Sequence, residues 1–141
     1  MQLSKNFTLE ELVNPVLLDR VGERCADWLN PNLVPTLQAL RDTIGTPITV
    51  NDWHRGGIYK NSGLRAPNCN EGALFSTHKG GCAADPKFTI EASKVYYHIL
   101  NNQDKYPYIS RMENIEHTPT WCHIEVSTNK RVGDIVIFNP R

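Results

Sequence analysis

The sequence predicts an α+β fold, with N-terminal helices packed on a small antiparallel sheet in a single domain spanning residues 1–141. Three observations carry this reading. Helix start and stop signals crowd the first 45 residues, apolar–polar alternation dominates the last third, and a stretch rich in Gly, Asn and Ser lies between them. Helices first and antiparallel strands last is the pattern of an α+β domain. A chain of 141 residues is also long enough to bury one core without disulfide or metal staples.

Each element has its own signal. Thr8 followed by Glu11 forms a capping box for a short helix over LEELV. A second helix is expected over much of VLLDRVGERCADWL, ending at Asn30. Asn30-Pro31 then supplies an N-cap and a first-turn proline for a third helix through LVPTLQALRDTI, which Gly45 stops. TPITVND reads as a strand, with Ile48 and Val50 alternating against Thr49. Trp53 to Gly81 lacks periodicity and reads as a long irregular loop, a kind of segment that tends to be functional inside a compact domain. TIEASKVYYHIL reads as an amphipathic helix capped by Thr89, and YISRME, TWCHIEVS and DIVIF as three strands.

Composition narrows the function. Fifteen basic residues balance fifteen acidic ones, so no single-sign field points to nucleic acid or an anionic membrane. Phosphate-binding glycine motifs and basic–aromatic stripes are absent. No apolar run is long enough to insert into a bilayer. The N-terminus, MQLSKNFTLEEL, has no signal-peptide pattern, so synthesis in the cytoplasm is expected. The four cysteines are scattered without a C-x-x-C pair, and each reads best as a small buried apolar residue.

The chemistry concentrates in STHKGGCAAD, residues 76–85. His78 and Asp85 are seven residues apart, joined by small residues that permit unusual dihedrals and close approach. Taken alone, the pair favours a Gly-rich turn carrying a solvated His. A third group changes the balance. In TWCHIEVS the strand period puts Trp121, His123, Glu125 and Ser127 on one face, and Cys122, Ile124 and Val126 on the other, core-like face. Cys122 is thereby turned away. Two His and one Asp, with a fourth position left open, is the ligand count of a catalytic zinc site.

STHKGGCAAD resembles the S-x-H-x-x-G-x-A-x-D signature of the zinc D-Ala-D-Ala carboxypeptidase superfamily, which includes hedgehog-like domains. Ser76, His78, Gly81, Ala83 and Asp85 stand at the fixed positions. SGLRAP, residues 62–67, is similar to that family's S-G-Y-R-S-P element, TWCHIEV to its W-x-H-x-[DE] element, and FTLEEL to the opening of many members. NDWHRGGIYKNSGLR is similar to phage-encoded members. The resemblance implies a hedgehog/DD-peptidase-like fold and a zinc peptidase, with His78, Asp85 and His123 as ligands. Its substrate would be a peptidoglycan stem peptide, cut as a D-Ala-D-Ala carboxypeptidase or as a cell-wall endopeptidase. It implies that Arg65 binds a substrate carboxylate or stabilises a tetrahedral oxyanion, although by itself Arg65 reads as a solvent-facing loop residue. Ser76 is expected to orient the loop. With no signal peptide, holin-type release or carriage on a virion is the implied route to the wall.

One departure concerns the general base. Many members carry Glu three residues before the last ligand, where this chain has Thr120. Glu113, then His117, then Glu116 are the nearby substitutes. If YISRME and TWCHIEVS form a hairpin, Ile109, Arg111 and Glu113 share a face, and its charged end lies opposite His123 and Glu125. Glu125 either orients His123 or faces solvent. Thr120 also keeps open a non-catalytic, zinc-containing binding or virion-structural module. His54 either lines a groove or flanks a packing anchor at Trp53, and His98 reads as an ordinary helix residue.

Overall fold

The computed structural model describes residues 1–71 and 76–140. It is a mixed α+β structure. Helix α1, Leu9–Leu12, begins at the expected capping box, where the Glu11 carboxylate accepts from the Thr8 N–H at 3.0 Å and from its hydroxyl at 3.3 Å. Helix α2, Pro15–Val21, is capped by Asn14, whose Oδ1 accepts from the Val16 N–H at 2.8 Å. The expected continuous second helix breaks at Gly22, where φ is 74°, and the chain continues as a 3₁₀ helix, Gly22–Trp28. A glycine in this left-handed region ends α-helical hydrogen bonding.

Helix α3, Leu33–Ile44, starts later than Asn30-Pro31 predicts. The Asn30 side chain instead accepts from the Asn32 N–H at 2.9 Å, closing a turn ahead of the helix. Gly45 ends α3 at φ 70°, as expected. Helix α4, Ala92–Asn101, is preceded by Glu91 rather than capped by Thr89. Thr89 and Ile90 are used in the bend that turns the chain out of the preceding strand.

The strands are β1, Ile48–Thr49; β2, Ala83–Ala84; β3, Lys87–Phe88; β4, Ile109–Glu113; β5, Ile124–Val126; and β6, Val136–Phe138. β1 and β3 make a separate antiparallel pair, and the main sheet has the order β2-β5-β4-β6. β5 is antiparallel to both neighbours, as the predicted hairpin requires. The expectation of an antiparallel sheet fails at β6, which runs parallel to β4. The connection from β5 explains it. Arg131 donates to the carbonyls of Ile109 (2.7 Å), Tyr106 (3.0 Å) and Gln103 (3.1 Å), so the returning chain is tied to the start of β4. β6 therefore sets out from the same end as β4.

One hydrophobic core joins the helices to the sheet, with Leu9, Leu12, Leu37, Leu40 and Ile99 meeting Ile109, Met112 and Ile124. A register shift between Ile109 and Arg111 corrects the predicted face assignment on β4. Ile109 turns into the core with Met112, while Arg111 is exposed and Glu113 half-buried. An extra residue in one strand breaks strict alternation at that point.

Candidate metal centre

The site is assembled by strand register. Ala83 lies opposite Glu125 and Ala84 opposite Ile124, so the next step of this antiparallel pairing brings Asp85 beside His123. On the other side of β5, Met112 pairs with Ile124, and the next step brings Glu113 beside His123, with the Glu113 N–H donating to the His123 carbonyl at 3.3 Å. Asp85, His123 and Glu113 thus sit side by side across three chain segments. Ala83 and Ala84 are wholly buried, which explains why the segment is built of small residues.

His78 reaches this row from the turn before β2. Gly81 makes the turn possible on two counts. Its φ is 73°, and a Cβ there would lie 2.0 Å from the Trp28 carbonyl oxygen. The Gly81 carbonyl accepts from the Asn30 N–H at 2.9 Å, tying the turn to the helical half. Ser76 Oγ accepts from the His78 N–H at 3.3 Å, the loop-orienting role expected of it.

The three side chains converge. His123 Nδ1 is 2.8 Å from Asp85 Oδ1, His78 Nε2 is 3.3 Å from Asp85 Oδ2, and the two imidazole nitrogens are 3.3 Å apart. Their ligand atoms all lie within 4.8 Å of one another, and among the described residues this group can hold a metal ion. The outward nitrogens are also satisfied. His78 Nδ1 is 3.0 Å from the Gly63 carbonyl, and His123 Nε2 is 2.8 Å from Glu125 Oε2. An imidazole that donates from one nitrogen to a carbonyl or carboxylate offers the other nitrogen's lone pair to a metal. The donor set therefore fits a divalent transition-metal ion.

Electrostatics follow from this crowding. Burial opposes the charge on Asp85, but hydrogen bonds from His123 and His78 outweigh it and hold the carboxyl well below its usual range. Burial likewise opposes charge on His123, yet its bonds to Asp85 and Glu125 raise it to about 9. Burial raises Glu113, against the opposing influence of His123. Among the described residues the Glu113 carboxylate has no hydrogen-bond or ion-pair partner. Burial pulls Lys87 down to about 8 despite attraction from Asp85. Its ammonium contacts Ser62 Oγ, bonds the Val50 carbonyl at 2.9 Å and lies 4.0 Å from the Tyr59 ring centroid.

Arg65 is buried rather than solvent-facing. Nε donates to the Asn61 carbonyl at 2.8 Å and Nη1 to that of Glu71 at 3.2 Å, while Nη2 is 3.7 Å from Asp85 Oδ2. It helps wall a cavity of about 190 Å³ together with Tyr59, Asn61, Ser62, Glu71 and Asp85. A larger groove of about 590 Å³, against Leu3, Leu29, Val34 and Pro35, contains none of these residues. His117 and Glu116 are exposed on the 3₁₀ turn Ile115–His117. Neither joins the cluster.

The remaining sequence candidates resolve simply. Cys122 is buried with Sγ toward the Ala92 carbonyl, and burial pushes its thiol up to about 12. Cys25 is buried too, but Cys69 and Cys82 are half-exposed, against the expectation for them; all four thiols are free. Trp53 donates from Nε1 to the Val13 carbonyl at 3.0 Å as a packing anchor, and His54 is exposed. His98 Nε2 is 2.8 Å from the Tyr106 hydroxyl. Sequence reasoning missed the Gly63 carbonyl, which carries no side-chain signal, and left the role of Glu125 open. Its place two residues from His123 on one strand face was the available clue. Comparison of the chain with protein-family models, curated proteins and solved structures finds no match.

Proposed function

We propose that the protein is a zinc-dependent peptidase of hedgehog/DD-peptidase-like fold that hydrolyses peptidoglycan stem peptides. The observation that carries this reading is the convergence of His78 Nε2 and Asp85, both from the segment with the S-x-H-x-x-G-x-A-x-D pattern, with His123 Nδ1 from the start of β5. His78, Asp85 and His123 would hold a zinc ion, which when bound would supply Lewis acidity toward water and a carbonyl. The rest is the work of the chain. Glu113, without a side-chain partner among the described residues and raised by burial, takes the proton from the attacking water at its carboxylate and delivers it to the departing amine. Arg65, beside Asp85 at the cavity wall, offers its guanidinium to a substrate carboxylate or to the oxyanion. His117, exposed and outside the cluster, ranks behind Glu113 as the base.

Thr120 is the observation that favours a second reading, a zinc-containing binding or virion-structural module without activity. Incubating the purified protein with peptidoglycan separates the two. The peptidase reading expects one bound zinc by elemental analysis, release of peptide fragments, loss of cleavage with a chelator and its return on adding zinc. Mass spectrometry of the fragments identifies the bond. His78→Ala should abolish both zinc and cleavage; cleavage that survives His78→Ala would sink the proposal, and bound zinc without cleavage would favour the binding module. Glu113→Gln should retain zinc and lower kcat by roughly 10²–10⁴-fold.

A further inference from the structure

We infer that Glu125, Arg111 and Phe138 are positioning residues for the metal: with His123 they close a ring of four contacts that keeps Nε2 engaged and presents Nδ1 to the ion. This rests on the metal-binding reading of the cluster, but not on the peptidase reading. Glu125 is buried, and its Oε2 meets His123 Nε2 at 2.8 Å. Its other oxygen, Oε1, faces Arg111 Nη1 at 3.7 Å. The Arg111 guanidinium lies over the Phe138 ring, 4.2 Å from its centroid. The Phe138 ring in turn meets the His123 ring edge-on, with centroids 5.6 Å apart and planes at 89°.

Each contact has a separate physical task. The carboxylate holds a proton on Nε2, because only a protonated Nε2 donates to it, so that Nδ1 is the nitrogen that gives up its proton and presents its lone pair when an ion enters. Arg111 faces the second oxygen of that carboxylate and so keeps Glu125 pointed at His123. Stacking on Phe138 limits the freedom of an Arg side chain that is 47% exposed. Phe138 also packs edge-on against the imidazole, a contact that favours the ring orientation seen. β6 pairs with β4 through Glu113 and Phe138, so the last strand fixes a metal ligand while contributing none.

The test is zinc titration of the metal-free full-length protein against a chromophoric chelator, paired with melting of the metal-free form. Glu125→Gln should weaken zinc binding about 10- to 100-fold. The absorption bands of the Co²⁺-loaded variant should also shift, a change in ligand geometry that a purely structural role would not produce. Arg111→Ala and Phe138→Leu should weaken zinc by at least about threefold, with Arg111→Lys intermediate because it restores charge without the planar stack. Wild type binding one zinc with Glu125→Gln equally tight overturns the inference and leaves the metal reading standing. Wild type binding no zinc overturns both. If Glu125→Gln does not fold, Arg111→Ala decides: unchanged zinc affinity with unchanged melting overturns the inference.

Discussion

His78 and His123 meet at Asp85 from differently built surroundings. His78 is carried by a turn and held by backbone groups: its Nδ1 faces the Gly63 carbonyl, and its own carbonyl accepts from the N–H groups of Arg65 and Gly81. His123 stands at the start of a strand and is held by side chains, Asp85 on one nitrogen and Glu125 on the other. Backbone support is set by chain conformation and vulnerable to whatever bends the chain. Side-chain support is set by charge and vulnerable to pH and to conservative substitution. The two halves of one site should therefore fail in different ways.

The largest effect is expected on the backbone-held side. Gly81→Ala places a Cβ 2.0 Å from the Trp28 carbonyl oxygen at a residue whose φ is 73°. Neither fault is relieved by a side-chain rotation, because the obstacle is backbone. A destabilisation of about 4 kcal/mol or more is expected, with zinc stoichiometry lost wherever the variant still folds. Chemical denaturation and elemental analysis check both. A Gly81→Ala protein that melts like wild type and binds one zinc would remove the conformational argument for this half.

The same contrast explains what was legible in the sequence. Side chains advertise themselves: His78, Asp85 and His123 were all named from spacing and alternation, and the structure brings them together. The capping box at Thr8 and the stop at Gly45 were readable for the same reason. Backbone events left fainter marks. The bulge between Ile109 and Arg111 moved Ile109 off the predicted face, and Gly22 divided a helix that looked continuous. The parallel course of β6 depends on one arginine reaching three carbonyls, and no periodicity encodes that. Lys87 went unnoticed as a site neighbour because its role comes from what it touches in three dimensions.

The side-chain-held half should show itself through pH. In the metal-free protein His123 stands at about 9, above roughly 6.5 for an unfolded chain. A group raised on folding stabilises fully below its unfolded value and loses that contribution as pH climbs through its folded value. Metal-free protein should therefore lose up to about 3 kcal/mol between roughly pH 6.5 and 9. Asp85 is depressed, so its contribution is present above about pH 4 and disappears as acid is added below that. Denaturation of chelator-treated protein at several pH values measures the alkaline slope. Glu125→Gln should flatten it, whereas zinc, which takes the neutral imidazole, should stabilise more as pH rises. A flat profile for the metal-free wild type would mean that His123 is not held by charge.

The smallest effect sharpens the comparison most. Ser76 is the side chain that, among the described residues, holds the His78 backbone, through a hydrogen bond of 3.3 Å to its N–H. Around it the turn is held redundantly by backbone: Lys79 N–H to the Ser76 carbonyl at 3.0 Å, Cys82 N–H to that of Thr77 at 3.1 Å, and Arg65 N–H to that of His78 at 3.2 Å. Ser76→Ala removes a long bond from a well-tied turn, so it should cost less than about 1 kcal/mol and move zinc affinity by less than about threefold. Glu125→Gln, which on paper is just as local, should move that affinity further because nothing in the backbone duplicates its carboxylate. If Ser76→Ala proved the more damaging of the two, the assignment of backbone support to His78 and side-chain support to His123 would have to be exchanged.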